Sequence, residues 1–246
     1  MLSVAIITHN EEKNIRDALE SVEWANEIVV VDSFSNDRTV EICREYTDRV
    51  FSIEWSGFAN QKNMAISLTT MPWVLVLDAD ERVTEGLRDE IVSILKDKPE
   101  KDGYYIARKN FFSGRWIRHG GWWPDYTLRL FRRDKGRFED REVHEAVKVD
   151  GEVGYLKNPL EHHTYKDIND FLKRMELYSS LSAKELYKNK RMANILDIIF
   201  RPPATFLRML ILQLGFLDGL YGIILAYLYS LYTYKKYSKL RKLWKG

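Results

Sequence analysis

The chain has 246 residues and one cysteine, Cys43, so no internal disulfide can form, and a reducing compartment suits it. No basic region followed by a long apolar run opens the sequence. The first apolar segment, Val4 to Ile7, gives way at once to Thr8-His9-Asn10, which is not the pattern of a secretory leader. The folded body is therefore expected in the cytoplasm. Two phosphate-binding signatures are also missing. Where a Gly-x-Gly-x-x-Gly turn would stand after the first strand, the chain reads Thr8-His9-Asn10-Glu11-Glu12, which argues against a dinucleotide cofactor. No Gly-x-x-x-x-Gly-Lys-Ser/Thr loop occurs, which argues against a P-loop phosphotransferase. There is no internal repeat and no low-complexity linker. Charge of one sign is not in excess: the formal total is +2.

What is present suits a full globular core. Hydrophobic residues make up 45% and charged residues 30%, which excludes whole-chain disorder. Leu2 to Thr8 predicts a strand, Ile15 to Val22 an amphipathic helix with Asn10 as its cap, and Glu27 to Val31 a second strand ending on Asp32. A strand, a helix and a strand within about thirty residues form a βαβ unit, with its ligand crevice at the carboxyl ends of parallel strands. Asp37 is placed to cap a helix over Arg38 to Tyr46. Val50 to Ile53 predicts a strand, Phe58 to Leu68 a helix, and a helix beginning at Thr84 stops before Pro99. From Gly103 the rhythm changes to strands at Gly103–Arg108, Thr127–Phe131 and Glu142–Val149, with a Gly- and Trp-rich segment at 111–124. That segment either covers an acceptor groove or packs the far side of the sheet. Ile168 to Tyr187 predicts a long amphipathic helix.

Two stretches carry functional weight. In Leu75-Val76-Leu77-Asp78-Ala79-Asp80-Glu81 an apolar strand runs straight into three carboxylates, which repel one another and resist desolvation unless a hard divalent cation neutralises them. The competing reading is a solvated acidic turn leading into the next helix. Asp32, at the neighbouring strand end, is a candidate ribose or base partner. After Arg201-Pro202-Pro203, the segment from Ala204 to Tyr234 holds only Arg208 and Asp218 as charged residues. Asp218-Gly219 splits it into halves too short to span a bilayer, so the expectation is a helical element lying in or dipping into a membrane interface, held to anionic headgroups by the basic tail. A buried helical hairpin at a dimer interface is the alternative.

The motifs Val4-Ala5-Ile6-Ile7-Thr8-His9-Asn10-Glu11, Val30-Val31-Asp32-Ser33-Phe34-Ser35-Asn36-Asp37-Arg38-Thr39 and Val76-Leu77-Asp78-Ala79-Asp80-Glu81 together resemble family 2 inverting glycosyltransferases with the GT-A fold. The resemblance continues through Gly57 to Asn63, Arg129 to Arg133, Val143-His144-Glu145 and Gly215 to Gly219, and is nearest to bacterial lipopolysaccharide core glucosyltransferases acting on inner-core heptose. It implies an α/β GT-A domain over 1–200 and a hydrophobic, basic membrane-association region over 201–246. It also implies transfer of a hexose, glucose from UDP-glucose, to a lipid-linked saccharide at the cytoplasmic face of the inner membrane, with no nucleic-acid partner. A polyprenyl-phosphate acceptor and a non-catalytic membrane-anchored binding protein are the alternatives. By position, Thr8, Asn10, Glu11, Asp32, Lys62 and Asp78 would bind the nucleotide sugar, while Arg132 and Arg133 would hold phosphate or acceptor, or else be solvated strand-edge charges. Asp80, Asp78 and His162 would hold Mg²⁺ or Mn²⁺, with His163 the alternate to His162. Glu145 would be the base, rivalled by Glu139 and Asp140. Glu81 flanks the pair and is not counted as a ligand.

Overall fold

The structure is a computed structural model that describes residues 1–97, 99–139 and 146–245. Its elements run β1 (Leu2–Thr8), α1 (Ile15–Glu20), β2 (Glu27–Asp32), α2 (Thr39–Arg44), β3 (Val50–Ser52), α3 (Phe58–Ser67), β4 (Trp73–Asp78), β5 (Glu81–Val83) and α4 (Glu85–Lys96). They continue as β6 (Gly103–Phe112), β7 (Arg115–Trp116), β8 (Asp125–Arg132), β9 (Gly136–Glu139), β10 (Ala146–Val149), β11 (Val153–Tyr155), β12 (Leu160–Tyr165), α5 (Ile168–Lys188), α6 (Ile195–Leu207) and α7 (Leu220–Lys245). The main sheet has the order β3-β2-β1-β4-β8-β6-β12-β5, with β11 and β7 both paired to β6. β1 is parallel to both β2 and β4, and β8 turns antiparallel against β4. All seven residues of β1 are buried, as expected of a central parallel strand covered on both faces. From β1 the chain first builds outward to β2 and β3, then returns to lay β4 on the other side. This reversal opens a crevice at the carboxyl ends of β1 and β4.

By contacts the chain divides into two compact units, residues 1–108 with 126–162, and residues 109–125 with 163–246. In the first, two apolar clusters cover the two sheet faces: one holds Ile15, Leu19, Leu87 and Ile91 from α1 and α4, the other Ala59, Ala65, Ile66 and Phe138 from α3 and β9. Thr84 caps α4 by accepting the Leu87 N–H at 3.2 Å, where the sequence places that helix start. Asn10 is not a helix cap. It adopts a left-handed backbone (φ 56), and its Oδ1 accepts the Asn36 N–H at 2.8 Å, tying the loop after β1 to the loop after β2.

The second unit carries 201–246 together with α5 and the 109–125 segment. Phe112, Ile117, Trp122, Phe171, Met175, Met209 and Leu225 form its core, so several of the aromatics in the Gly/Trp segment are packing residues. The apolar region does break near Asp218, but Pro202 and Pro203 lie inside α6. A π-helical turn (Arg208–Leu212) and a short 3-10 turn (Gly215–Asp218) separate α6 from α7. Gly215 and Gly222 are required here, because a Cβ on Gly222 would fall 1.7 Å from the Gly215 carbonyl oxygen. Asp218 is a packing anchor: its carboxylate accepts the N–H of His119 at 2.8 Å and of Arg118 at 3.1 Å. Two of the tail lysines, Lys235 and Lys239, pair at 2.6 Å with Glu176 of α5. They fasten α7 to α5. No described helix is long and apolar enough to cross a membrane.

Candidate active site

Strand register brings the acidic residues together. Thr8 is the partner of Asp32 and Ile7 the partner of Asp78, so the ends of β2, β1 and β4 stand level, with about 5 Å between adjacent strands. The Thr8 hydroxyl is buried and has no hydrogen-bond partner among the described residues. An unpaired buried hydroxyl is costly, and at the mouth of a crevice it is a position that a polar ligand completes. Asp32 is fully buried, and its carboxylate accepts the Ser35 N–H at 2.9 Å and the Ser35 hydroxyl at 2.5 Å. The Glu11 carboxylate accepts from the Asn14 amide at 2.5 Å, and its backbone N–H donates to Thr39 Oγ1 at 2.8 Å. Asn10, Glu11 and Asp32 therefore shape the loops around Thr8.

Asp78 is the centre of a buried ion cluster. Lys62 Nζ lies 2.8 Å from its Oδ1, and Arg129 Nη2 lies 2.5 Å from its Oδ2. The same Arg129 nitrogen reaches Glu81 Oε1 at 2.6 Å, and Glu81 Oε2 accepts the Asp78 N–H at 3.0 Å. Burial alone would raise the Asp78 pKa, but the charges of Arg129 and Lys62 outweigh it and hold the carboxyl far below its ordinary range. Both Asp78 oxygens, expected beside Asp80 on the metal, are engaged by cations in this structure. Lys62, expected on the nucleotide, is directed at Asp78, with its ammonium 5.3 Å from the Phe138 ring centroid. Its neighbours in α3 are fixed as well. The Gln61 amide donates to Ser33 Oγ at 2.8 Å, and Asn63 exchanges two hydrogen bonds with the Phe138 backbone.

Asp80 stands in the two-residue turn between β4 and β5. Strand β12 pairs antiparallel with β5 so that His162 is the partner of Glu81, and this register sets His162 Nε2 3.6 Å from Asp80 Oδ2. Both side chains are about seven-eighths buried, at 12% and 13% exposure. An imidazole and a carboxylate at this separation can face one divalent cation, although the described residues contain no cluster of three His, Cys, Asp or Glu groups able to hold a metal by themselves. That donor set fits Mg²⁺ or Mn²⁺ in the form these ions take with nucleotides, where one or two protein groups supplement substrate phosphates.

Residues 3–163 match the sequence profile of Glycosyl transferase family 2, which spans well over half of the chain and contains every group just described. The chain belongs to that family. As a glycosyltransferase it is 30% identical, over 96% of its length and 93% of the relative's, to the lipopolysaccharide core biosynthesis glycosyltransferase LpsC of Rhizobium meliloti. An uncharacterized glycosyltransferase of Rickettsia typhi is 27% identical over 98% of this chain and 87% of that one. The crystal structure of S. aureus TarS 1–349 in complex with UDP-GlcNAc gives a TM-score of 0.50 at 18% identity, covering 99% of this chain and 90% of that chain. That likeness is one of fold, and the α/β GT-A architecture expected from the sequence is the architecture found.

Of the two readings of Arg132 and Arg133 in this glycosyltransferase, the structure supports the strand-edge charge. Arg132 is not at the crevice: it pairs with Asp134 at 3.3 Å and sits opposite Trp73, at the far end of β4 from Asp78. Arg133 donates to the Thr69 carbonyl at 2.9 Å. The arginine that does reach the acidic cluster is Arg129, quoted in the motif but given no role there. Its sequence signal was an isolated cation inside an apolar strand, which must find carboxylates when buried. Arg108 adds a second guanidinium 3.6 Å from Glu81. Among the candidate bases, Glu139 ends β9 opposite residue 146, while Glu145 and Asp140 lie outside the described residues. His163, the alternate ligand, stacks on Phe111 with ring centroids 4.9 Å apart.

Proposed function

We propose that this glycosyltransferase transfers a hexose, glucose from UDP-glucose, with inversion to a hydroxyl of a lipid-linked acceptor such as the inner-core heptose of lipopolysaccharide. The observation that carries the donor half is the Asp80–His162 pair beside the Lys62–Asp78–Arg129 cluster at the sheet reversal. The acceptor half is supported by full-length similarity to LpsC. In this reading Thr8 contributes its unpaired hydroxyl to the nucleotide, and Asp78 keeps Lys62 and Arg129 aligned under the diphosphate. Asp80 and His162 would hold Mg²⁺ or Mn²⁺, which supplies charge neutralisation to the departing nucleoside diphosphate. Glu145 is the proposed base, taking the acceptor proton on the face opposite the leaving group, and Glu139 and Asp140 are its rivals.

The test is a screen of nucleotide sugars with purified protein, Mg²⁺ or Mn²⁺, and either heptose-containing core or polyprenyl phosphate as acceptor. UDP-glucose with the heptose acceptor should give product of inverted anomeric configuration, and excess chelator should abolish it. Undiminished turnover in chelator contradicts the metal assignment, and transfer only to polyprenyl phosphate moves the acceptor to the alternative class.

We further propose peripheral attachment to the cytoplasmic face of the inner membrane. Leu207, Ile211, Leu212, Phe216, Leu217 and Leu220 are each more than half exposed along one turn-rich stretch, far more contiguous apolar surface than a soluble face carries without reason. The triple substitution Leu212→Ser, Leu217→Ser, Leu220→Ser should cut membrane cofractionation by roughly 100-fold or more, since each leucine contributes about 1.5–3 kcal/mol when buried. Intact protein recovered wholly in the soluble fraction contradicts the proposal.

A further inference from the structure

We propose that Tyr105, Tyr126 and Tyr155 form a stacking platform for a pyranose ring of the acceptor. The proposal rests on the saccharide-acceptor reading given above and names side chains that hold that acceptor.

The three rings meet at Tyr155. Its ring centroid lies 5.0 Å from that of Tyr105, with the planes 19° apart, and 5.0 Å from that of Tyr126, with the planes at 87°. Strand pairing sets this up. β11 runs parallel to β6 with Tyr155 as the partner of Tyr105, and the Leu156 N–H donates to the Tyr105 carbonyl at 2.9 Å. Tyr104, Ile106 and Leu156 are buried in the cluster on the α1 and α4 face of the sheet, so strand alternation turns Tyr105 and Tyr155 to the opposite face. There Tyr105 packs, with Val147 of β10, against the cluster that holds Leu128 and Phe138. Leu128 is two residues from Tyr126 on β8, and the same alternation sends Tyr126 to that face. Tyr126 and Tyr155 nonetheless stay 45% and 63% exposed. Aromatic rings fixed by their neighbours yet left uncovered are what a binding surface presents.

Position selects the ligand. Asp78 is on the same face, because Val74 and Val76 of β4 belong to that cluster, and Lys62, 2.8 Å from Asp78, lies 5.3 Å from the Phe138 ring centroid. β8 runs antiparallel to β4 with Arg132 opposite Trp73, so its earlier residues lie toward Asp78. Tyr126 is three residues before Arg129, about 10 Å along the strand, and Arg129 reaches Asp78 at 2.5 Å. In the sheet order β2-β1-β4-β8-β6, Thr8 and Asp32 of the proposed nucleotide pocket stand on one side of β4 and the tyrosines on the other. A ligand on the tyrosines therefore reaches the Asp78 cluster from the side away from the nucleotide, where the second substrate has to be held. A pyranose ring has an apolar C–H face and a rim of hydroxyls, and tyrosine offers an apolar ring with a hydroxyl that both donates and accepts. Rings already held by one another lose little freedom when a sugar covers them.

The experiment uses the full chain, the double variant Tyr126→Ala, Tyr155→Ala, the single variant Tyr155→Ala at the most exposed ring, and the ring-preserving double variant Tyr126→Phe, Tyr155→Phe. Binding to a panel of soluble pyranose oligosaccharides, deacylated heptose-containing core among them, is measured by calorimetry with UDP and Mn²⁺ present, and acceptor KM by transfer from UDP-glucose. The double alanine variant should weaken saccharide binding and raise acceptor KM at least about tenfold, with Tyr155→Ala between it and wild type. The phenylalanine variant should retain most of the binding, and all three should keep the wild-type Tm and UDP-dependent Mn²⁺ uptake. Alanine variants with wild-type saccharide binding and acceptor KM overturn the platform, and so does a wild type that binds no saccharide of the panel. If the tyrosines hold another saccharide while the heptose core is neither bound nor glycosylated, the platform stands and the heptose acceptor falls. Glycosylation of the heptose core with unchanged KM by the double alanine variant gives the reverse result.

Discussion

Asp80→Ala should lower kcat by about 100- to 1000-fold, the usual consequence of removing one charge-stabilising group from a transfer site, with little change in thermal stability. Asp80 sits in a short turn against His162, and without it Asp78 and Glu81 keep their pairing to Lys62 and Arg129. The effect should appear in steady-state transfer with saturating UDP-glucose, and raising Mn²⁺ should recover little of it. His162→Ala should be milder, since the carboxylate remains. A variant at Asp80 with wild-type kcat would remove the metal–diphosphate reading.

Arg129→Met should act in the opposite way, on stability first. Among the described residues it leaves Glu81, which is fully buried, with Arg108 at 3.6 Å as its remaining cation, and leaves Asp78 with Lys62. Breaking a buried ion cluster by removing one partner costs about 3–5 kcal/mol, seen as a lowered Tm and an earlier denaturant midpoint. The pH dependence follows from Asp78. A carboxyl whose folded pKa is depressed contributes stability above its unfolded value, 3.8 here, and that contribution is lost as pH falls through the folded value. Wild-type protein should thus keep the Asp78 contribution well into acid. In Arg129→Met, burial opposes ionisation with less to offset it, the folded pKa rises, and the acid-unfolding midpoint moves to higher pH. An unchanged acid midpoint would mean that Arg129 does not hold Asp78 ionised.

Strand ends were the legible part of the site. Apolar runs ending at Thr8, Asp32 and Asp78 can be read directly, and parallel pairing then levels them without further information. Side-chain partners were less legible. Arg129 and Arg132 are three residues apart on β8, so strand alternation turns them to opposite faces, and the register against β4 sets Arg132 opposite Trp73, away from Asp78. Glu81 was set aside as a ligand; the structure makes it the buried support of Arg129 and of the Asp78 backbone. His162 reaches Asp80 through the β5–β12 pairing, which joins segments about eighty residues apart and leaves no local trace. The same holds for Lys235 and Lys239, which read as free basic residues until α5 brings Glu176 to them.

The most direct measurement is a Mn²⁺ titration followed by electron paramagnetic resonance, with and without UDP, on wild-type protein and Asp80→Ala. Because the described residues offer two protein ligands rather than a closed site, wild-type protein should take up Mn²⁺ weakly alone and tightly with UDP, and Asp80→Ala should lose the tight component. Equal UDP-dependent Mn²⁺ binding by the two proteins would contradict the assignment of Asp80 to the metal and diphosphate.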